Sequence, residues 1–560
     1  MIDLLHPGLV LIAGGVAAGV LRGGARSAVV LVAPVAALWL LWALPEGAAW
    51  QGEFLGYPIV PLAIDRLSRL FATIFIIMAF GGALFALGQA SRLELAAALV
   101  YAGSAVGVTL AGDLITVFVF WELMAIGSTL VIWSAGTAGA RAASFRYLMI
   151  HLLGGVVLMA GITGHVADTG STAFSRMALD SPAHWLILAG FLLNAGAPPL
   201  SAWLPDAYPE ASWSGTVFLS AFTTKTAVYV LMRGYPGTEL LVYVGLFMVF
   251  YGIVYALLEN DMRRILAYSI VNQVGFMVIG IGIGTEMALN GAAAHAFTHI
   301  IYKALLLMSA GAVLYRTKER LCSNLGGLFR TMPLTTICGT IGALSISAFP
   351  VTSGFVSKSM ISQAAADSHL LIIWLLLAAA SAGVFLHAGI KFPWFVFFQK
   401  DSGLRPADPP LSMKLAMVLF SALCIGIGVF FQPLYAILPF AVAYVPYTGA
   451  HVVQMLQLLL FSGLAFFAML GLLRRTRTIT LDVDWLYRRL APALVATATF
   501  AIEALNRALA GARNEGAARL RGALASAFGP GGALGSVRTT SGMVVWVAVL
   551  LAAFLILYYF

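Results

Sequence analysis

The sequence predicts an all-α polytopic membrane protein with about sixteen transmembrane helices. Of its 560 residues, 61% are apolar and only 10% are charged, whereas about a quarter of the residues of a soluble protein are charged. The mean hydropathy is +0.95. The apolar residues form runs of roughly 18 to 25, which is the length a helix needs to cross a bilayer and too long for barrel strands. This composition excludes soluble secreted, nucleic-acid-binding and disulfide-framework proteins.

Charged and turn-forming residues separate the predicted spans from one another. The N-terminal segment lacks the basic region and the A-x-A site of a signal peptide, so we expect a retained first span. The three cysteines have no metal-binding spacing, and no metal site is predicted. The spans lie near residues 7–22, 27–45, 62–88, 94–112, 114–134, 145–166, 183–206, 212–233, 238–258, 264–284, 288–316, 333–364, 369–396, 411–433, 452–474 and 541–560.

Two of these spans contain internal helix breakers, NAGAPPLSAWLPDA at 194–207 and ISAFPVTSGFVSK at 346–358. Unpaired backbone groups are tolerated in a membrane only where protein or water satisfies them, so both breaks indicate polar cavities. They lie in the seventh and twelfth spans, and a repeat of five helices must insert its second copy upside down. In that arrangement Glu122 of the fifth span corresponds to the polar pair Asn272 and Gln273 of the tenth.

This order predicts two inverted five-helix repeats within a longer chain. The predicted regions are N-terminal transmembrane helices (1–93), a first inverted repeat (94–233), a second inverted repeat (234–396), C-terminal core helices (397–481), an amphipathic lateral helix (482–535) and a final transmembrane anchor (536–560).

The distribution of lysine and arginine predicts the orientation of the chain. Alternate loops carry mainly acidic residues, with Arg176 and Arg233 as the basic exceptions. By the positive-inside rule the basic loops are cytoplasmic and both termini face outward. The basic set comprises Arg22, Arg26, Arg92, Arg141, Arg263, Arg264, Arg316, Lys318, Arg320, Lys400, Arg474, Arg475 and Arg477.

The segment near 482–530 differs from the other apolar segments because arginines are spread among its Leu, Ala and Phe residues. This pattern predicts an amphipathic helix on the membrane surface or along a partner subunit. A surface helix that packs only on its own chain remains an alternative. The Gly-rich stretch FGPGGALGS ends the helix before the last span.

Ionisable residues inside the predicted spans are the candidate functional groups, because a charge at the bilayer centre costs at least about 2.5 to 3.5 kcal/mol. Glu122 and Lys225 lie in the middle of their spans. His295, His299 and Lys303 are spaced by four residues, which places them on one helical face. Lys358 follows the second break. Such a row of acids, bases and imidazoles can pass a proton when a neighbour's charge changes.

Each candidate also has a structural interpretation. A single Glu or Lys can tie helices together as an ion pair, and histidine can serve as hydrogen-bonding glue between helices. This second interpretation applies to His295 and His299, and more strongly to His151 and His387. Lys391 lies close to a cytoplasmic end and is expected to extend to the interface.

Six motifs resemble, in order, the antiporter-like subunits of respiratory complex I, membrane-bound hydrogenases and Mrp-type sodium/proton antiporters. The resemblance covers roughly residues 60–430, and within the family the chain is most similar to the D-type subunits of Mrp antiporters. The motifs are FVFWELMAIGSTLVIW, AWLPDAYPEAS, TTKTAVYVLMR, ENDMRRILAYSIVNQVGF, HAFTHIIYKALLLMSAG and FPVTSGFVSK.

The resemblance implies fourteen core helices with two inverted repeats, each contributing a half-channel joined by a horizontal hydrated row. Glu122 matches the family's fifth-helix glutamate and Lys225 its eighth-helix lysine. Lys303 matches the lysine of the H-x-x-x-K stretch, and Lys358 the twelfth-helix lysine of the second half-channel. His295 and His299 match polar positions along the same path.

The chain departs from the family in two respects. The usual partner of the fifth-helix glutamate is a lysine thirty-one residues before the position of Lys225, and here that residue is Asn194. Without this cation Glu122 loses a favourable Coulomb interaction, unless Lys225 or a lateral subunit replaces it. In addition, D-type Mrp subunits commonly end after the fourteenth helix, whereas the basic amphipathic segment and final span here resemble the lateral helix and anchor of the largest antiporter-like subunit of complex I.

The resulting expectation is a proton-translocating subunit of a multi-subunit monovalent cation (sodium)/proton antiporter in the bacterial inner membrane. It is not expected to be an enzyme, and its partners are other integral membrane subunits. The alternatives are a proton-pumping subunit of a complex I-like or hydrogenase-like redox complex, and a scaffold whose charges only hold helices together. No CxxC, GxGxxG or haem motif is present, so no cofactor is predicted. Scattered oxygen-bearing side chains do not predict a sodium site in this chain.

Overall fold

The computed structural model describes residues 5–47, 49–473, 481–535 and 540–559. The chain forms two compact units, one ending at Asp484 and the other beginning at Trp485. Arg474, Arg475 and Arg477, three of the predicted cytoplasmic cations, lie outside the described residues, as do positions 536–539 of the predicted anchor region.

The first unit consists almost entirely of helices. Short 3-10 turns occur at Tyr208–Glu210, Cys322–Asn324 and Leu328–Arg330, and π-helical segments at Phe385–Lys391 and Trp394–Phe398. The elements are α1 (Pro7–Val20), α2 (Gly23–Ala43), β1 (Ala49–Phe54), β2 (Tyr57–Ala63), α3 (Arg66–Ala86), α4 (Arg92–Leu110), α5 (Leu114–Trp133), α6 (Ala138–Thr169), α7 (Pro182–Ala195), α8 (Trp203–Ala207), α9 (Gly215–Leu219), α10 (Thr223–Gly234), α11 (Leu240–Leu258), α12 (Met262–Ile283), α13 (Glu286–Thr317), α14 (Pro333–Ile346), α15 (Ser353–Asp367), α16 (Leu371–Val384), α17 (Leu411–Val429), α18 (Gln432–Ala436) and α19 (Gly449–Ala468).

The second unit contains two long helices. A π-helical turn at Leu486–Leu490 leads into α20 (Ala491–Phe528), and α21 spans Thr540–Tyr559. At 1.5 Å per residue, α20 is about 57 Å long. It ends at Phe528, where the sequence FGPGGALGS predicts its end.

The predicted class, an all-α polytopic membrane protein, is confirmed. Fourteen helices of the described residues are long and apolar enough to cross a membrane, one of them being the Leu486–Phe528 segment. Three shorter apolar helices accompany them, namely α1, α7 and α14. Each predicted span coincides with one helix or with consecutive short helices. The total of sixteen transmembrane helices stays a prediction.

A two-stranded antiparallel hairpin, β1–β2, was not predicted. Its turn residues Leu55 and Gly56 both have positive φ, at 52° and 82°, as a two-residue hairpin turn of type I′ requires. Leucine rarely adopts this conformation, so the Leu-Gly pair gives no hairpin signal in the sequence. The hairpin is joined to the helices by the Val60 N–H, which donates to the Asp113 carboxylate at 2.7 Å.

Both predicted helix breaks are present. After α7 the chain turns at Gly196, with φ +77°, and passes through Pro198 and Pro199 before α8 begins. After α14, Ala348 and Val351 have positive φ values of 57° and 66°, and α15 then begins at Ser353. The backbone therefore leaves the helical conformation at the positions that the proline-containing motifs indicate.

Structural correspondences accompany the two predicted repeats. The third long helix of each, α6 and α13, has 32 residues. The helix before it begins at an aspartate N-cap, Asp113 for α5 and Asp261 for α12. Each aspartate forms an isolated β-bridge with a residue four positions beyond the 32-residue helix, Ala173 or Leu321.

The surroundings of the two aspartates differ in charge. Asp261 pairs with Arg320 at 2.9 Å and lies beside Arg263, whereas Asp113 accepts from the backbone N–H groups of Val60 and Thr116. Burial raises the pKa of Asp261, and the neighbouring Arg320 guanidinium opposes this shift. An inverted pair of repeats requires equivalent aspartates on opposite sides of the membrane, one among basic residues and the other without them. The inverted orientation itself stays a prediction.

Helix α13 lies at the centre of the first unit. It packs against α3, α9, α10, α12, α14, α15 and α17. Its membrane-length window is 94% buried, and that of α12 is 100% buried. A side chain on either helix is therefore enclosed by protein.

Single-cysteine labelling tests the inverted orientation. Ser171 and Ser323 are exposed, and they lie close to the residues that bridge to Asp113 and Asp261. The natural cysteines are buried, so we expect little background labelling. We expect Ser171→Cys to react with a membrane-impermeant maleimide in right-side-out vesicles, and Ser323→Cys to react in inverted vesicles. Labelling of both variants from the same side would contradict the inverted repeats.

Candidate functional site

Lys225 lies in the core at a local distortion of the eighth span. The sequence predicts one continuous helix there, but α9 ends at Leu219 and α10 begins at Thr223. The distortion frees the Ser220 carbonyl, which accepts a hydrogen bond from Lys225 Nζ at 2.6 Å, and the Thr224 hydroxyl accepts a second at 3.0 Å. The side chain is fully buried. A buried ammonium is thus held by neutral oxygen atoms.

Helix α13 carries His299 and Lys303 next to Lys225. Lys303 Nζ donates to the Ser269 hydroxyl at 2.8 Å. His299 interacts electrostatically with both Lys225 and Lys303. Within the described residues neither ring nitrogen of His299 has a hydrogen-bond partner, although the side chain is fully buried. Buried polar atoms of this kind are normally satisfied by water.

His295 extends this arrangement toward the second break. Its Nε2 lies 3.1 Å from Gln273 Oε1, and Gln273 Nε2 donates to Asn272 Oδ1. The ring contacts Phe276 edge-on at 6.3 Å between centroids. Lys358 Nζ lies 4.2 Å from the centroid of the same Phe276 ring. The structure therefore brings His295 and Lys358 to one aromatic side chain.

The polar row is the name we give to Lys225, His299, Lys303, His295 and Lys358. All five side chains are 2% exposed or less. They come from α10, α13 and α15, which pack on one another or on α12. Five of the six predicted residues are thus grouped in the core, whereas the sixth, Glu122, is only half-buried.

Lys358 borders one cavity, and that cavity shares lining residues with a second, larger one. The first, the Lys358 cavity, has a volume of about 380 Å³ and is lined by Ser362, Gln454 and other polar side chains. The second, the Glu286 cavity, has a volume of about 750 Å³ and also contains Asp367. Three residues line both cavities, namely Gln363, Tyr444 and His451. The end of the polar row therefore borders open space toward the predicted outer side.

Glu122 is separate from the polar row. It is half-buried on α5, and its carboxylate lies so close to Gly155 of α6 that a Cβ there would overlap Oε1. Among the described residues it has no ion-pair partner. The side chain at the position of the missing lysine, Asn194, is hydrogen-bonded to His151 at 2.7 Å. Asn194 and His151 therefore lie together. Neither Lys225 nor any other cation of the described residues pairs with Glu122.

A tyrosine–threonine cluster beside Lys225 was missed by the sequence analysis. The Tyr101 hydroxyl lies 2.6 Å from Thr223 Oγ1, and the Tyr147 hydroxyl lies 3.2 Å from the same atom. Tyr147 also donates to Ser128 at 3.0 Å. The sequence feature that could have revealed this cluster is the TTKT motif, in which two threonine hydroxyls directly precede Lys225.

Glu94 was also missed. It lies in the first turn of α4 and is 2% exposed. The Ser212 hydroxyl donates to it at 2.8 Å, and Ser214 forms a second, very short hydrogen bond. A cavity of about 360 Å³, the Glu94 cavity, adjoins it on the basic side of the chain. In the sequence, a glutamate at a span end is indistinguishable from an ordinary helix-terminal residue.

Lys391 does not extend to the interface as predicted. It is fully buried in the π-helical segment Phe385–Lys391. Its Nζ donates to the carbonyls of Ala256, Leu257 and Glu259 at 2.6 to 2.8 Å. Ala256 and Leu257 lie in the last turn of α11 and Glu259 is its C-cap, where a cation is favoured by the helix dipole. The role of Lys391 is therefore to hold the end of α11.

The chain combines a helical membrane fold with a buried row of titratable side chains. These two features are typical of polytopic ion-translocation subunits. Residues 111–385 match the family described as NADH:quinone oxidoreductase/Mrp antiporter, TM. The D-type subunit of a Na(+)/H(+) antiporter from Alkalihalophilus pseudofirmus is 30% identical over 350 residues, which cover 59% of this chain and 71% of that protein. The N-type subunit of an NADH-quinone oxidoreductase from Desulforudis audaxviator is 30% identical over 372 residues, covering 60% and 73%.

Solved structures share the fold. A chain of the Mrp complex from Dietzia sp. DQ12-45-1b matches with a TM-score of 0.68 and 21% identity, over 82% of this chain and 98% of that one. A chain of an archaeal membrane-bound sulfane sulfur reductase matches with a TM-score of 0.72 and 24% identity, over 99% and 100%. The chain belongs to the antiporter-like membrane subunit family of NADH:quinone oxidoreductases and Mrp antiporters, which confirms the resemblance of its motifs.

Replacement of Lys391 tests its assignment to α11. We expect Lys391→Met to lower the free energy of unfolding by about 1.5–3 kcal/mol, because charge-assisted bonds to buried carbonyls are lost. Thermal unfolding of the purified protein measures this effect, with exposed Lys400→Met as the matched control. Transport per folded molecule should be unchanged. A loss of transport at normal stability would place Lys391 in the translocation machinery instead.

Proposed function

We propose that this chain is the proton-translocating subunit of a multi-subunit monovalent cation/proton antiporter. The observation that carries the proposal is the buried polar row, in which three lysines and two histidines lie together without a carboxylate ion pair among the described residues. Ion-paired lysines would be fixed tethers. Lysines held by hydroxyls and carbonyls can gain or lose a proton without breaking a salt bridge.

Charge repulsion along the polar row supplies the coupling. At an effective dielectric constant of about 20, two like charges about 8 Å apart repel by about 2 kcal/mol. Moving one charge across about 100 mV costs about 2.3 kcal/mol. The two energies are comparable, so protonation of Lys225 can favour proton loss from its neighbours. Lys358 exchanges protons with the outer side through the Lys358 and Glu286 cavities.

Glu122 is the proposed contact with a partner subunit. It is half-buried, and Val119 and Ile126, three residues before and four after it, are 54% and 48% exposed. These positions share one face of α5. Because Asn194 cannot supply the family's cation, a lateral subunit is the proposed source of the missing charge. The partners are other integral membrane subunits in the bacterial inner membrane.

The second candidate function is proton pumping in a complex I-like or hydrogenase-like redox complex. The observation that favours it is the extent of the fold, since the sulfane sulfur reductase chain matches 99% of this chain and the Mrp chain 82%. Co-purified partners distinguish the two candidates. Small antiporter subunits support the first, and iron–sulfur or flavin proteins support the second.

Alanine substitutions test proton translocation itself. We expect Lys225→Ala and Lys358→Ala to abolish proton flux in proteoliposomes containing the intact complex, because each removes a protonatable group from the polar row. A fluorescent pH indicator measures the flux under a sodium or potassium gradient. Exposed Lys400→Ala is the control, and normal membrane insertion of all three variants must be verified.

Wild-type flux in both Lys225→Ala and Lys358→Ala would overturn the proposal. It would favour the scaffold interpretation, in which the charges only hold helices together.

A further inference from the structure

The Glu94 cavity is a third polar cavity, and none of its lining residues belongs to the Lys358 cavity or the Glu286 cavity. It has a volume of about 360 Å³ and lies among the loops that the sequence predicts to be cytoplasmic. Its lining includes Gln89, Ser134, Thr137, Glu210, Lys318 and Arg320, as well as Glu94 and Arg263. Glu94 and Arg263 are the buried charged members of this lining, whereas Lys318 is exposed.

Neutral hydroxyls hold the Glu94 carboxyl. Ser214 donates to Oε1, and Ser212 donates to Oε2 at 2.8 Å, with Ser134 more distant at 3.5 Å. Among the described residues Glu94 forms no salt bridge. A hydroxyl can donate to a carboxylate or accept from a carboxylic acid. This carboxyl can therefore take up and release a proton without a change of partners.

The cations near Glu94 are engaged elsewhere. Arg263 donates to the carbonyls of Ala211 and Ser212 at 2.8 Å and to the hydroxyl of Thr216. Arg320 pairs with Glu210 at 3.1 Å and with Asp261 at 2.9 Å. Lys318 lies over the rings of Trp213 and Tyr315. Glu210, the other carboxyl of the cavity, is thus paired with Arg320. Glu94 has no ion-pair partner among the described residues.

Helix α4 carries both Glu94 and Tyr101, whose hydroxyl lies near the polar row. Tyr101 is seven residues further along α4, which places it two turns away on the same face, about 10 Å along the axis. A hydrogen-bonded chain across this distance would need about three water molecules. Tyr101 bonds to Thr223, and the next residue, Thr224, bonds to Lys225 Nζ.

We propose that Glu94 is the proton-collecting carboxyl of the chain, which takes a proton from water in the Glu94 cavity and passes it to Lys225 by way of the Tyr101–Thr223 hydroxyls. The inference rests on the proposed proton translocation and adds its uptake site. Glu94 becomes a neutral acid on uptake. It returns to a carboxylate when Lys225 becomes an ammonium, so one proton is moved and no charge is created.

A purely structural role is the competing explanation, because the serine bonds also tie the segment after α8 to α4. Glu94→Gln separates the two roles, since the amide keeps hydrogen bonds to the serines but cannot carry the proton. Glu94→Ala opens space beside the cavity for a small acid. Exposed Glu239→Gln, at the start of α11, is the matched control.

The experiment measures proton flux by the intact complex in vesicles, with assembly checked for every variant. We expect Glu94→Gln to slow flux at least tenfold and Glu94→Asp to retain more flux than Glu94→Gln. We also expect millimolar formate to restore part of the flux of Glu94→Ala. Formate should not accelerate the wild type or Glu239→Gln.

Wild-type flux in Glu94→Gln, with Lys225→Ala inactive, overturns this inference and leaves the proposed function standing. Slow flux in Glu94→Gln together with no formate rescue of an assembled Glu94→Ala complex assigns Glu94 to the structural role and also overturns it. If Glu94→Ala fails to assemble, the order of the other two variants decides: a proton-carrying role predicts more flux in Glu94→Asp than in isosteric Glu94→Gln, and a structural role predicts the reverse. Unchanged flux in Lys225→Ala and Lys358→Ala instead contradicts the proposed function.

Discussion

Burial of ammonium and imidazole groups without neighbouring carboxylates is the constraint on which the rest of the first unit depends. Removing a charge from water is costly unless other groups replace the lost solvation. Here the replacements are neutral: a hydroxyl and a carbonyl at Lys225, a hydroxyl at Lys303 and an aromatic face at Lys358. Neutral ligands stabilise a charge less than a carboxylate would.

Irregular backbone supplies one of these ligands, the Ser220 carbonyl. A regular helix uses its carbonyls internally, but the distortion between α9 and α10 frees the Ser220 carbonyl for Lys225. The break before α15 has a different result: Lys358, the sixth residue of α15, borders a cavity, and its Nζ has no hydrogen-bond partner among the described residues. At Lys225, therefore, the interrupted helix supplies an oxygen ligand to the buried charge, and the ammonium in turn satisfies a carbonyl that the helix leaves unpaired.

The arrangement is asymmetric between its two halves. In the second half, His295, Gln273 and Asn272 form a continuous hydrogen-bonded group that is fully buried. In the first half, Glu122 is half-buried and lies against Gly155, while Asn194 is engaged by His151. The first half thus presents its acidic group toward its surface and the second keeps its polar groups inside. This difference agrees with a chain that completes its first half in contact with another subunit.

The sequence by itself determined the membrane class, the positions of the helical segments, both proline-containing breaks and the grouping of His295, His299 and Lys303 on one face. These features depend on local composition and helical periodicity, which need no knowledge of distant contacts. Only the tertiary structure decided the distortion at Ser220, the hairpin, the burial of Lys391 against α11 and the meeting of Glu94 with serines more than a hundred residues away. Those features arise where segments remote in sequence supply each other's hydrogen-bond partners, and no local pattern encodes which partners will meet.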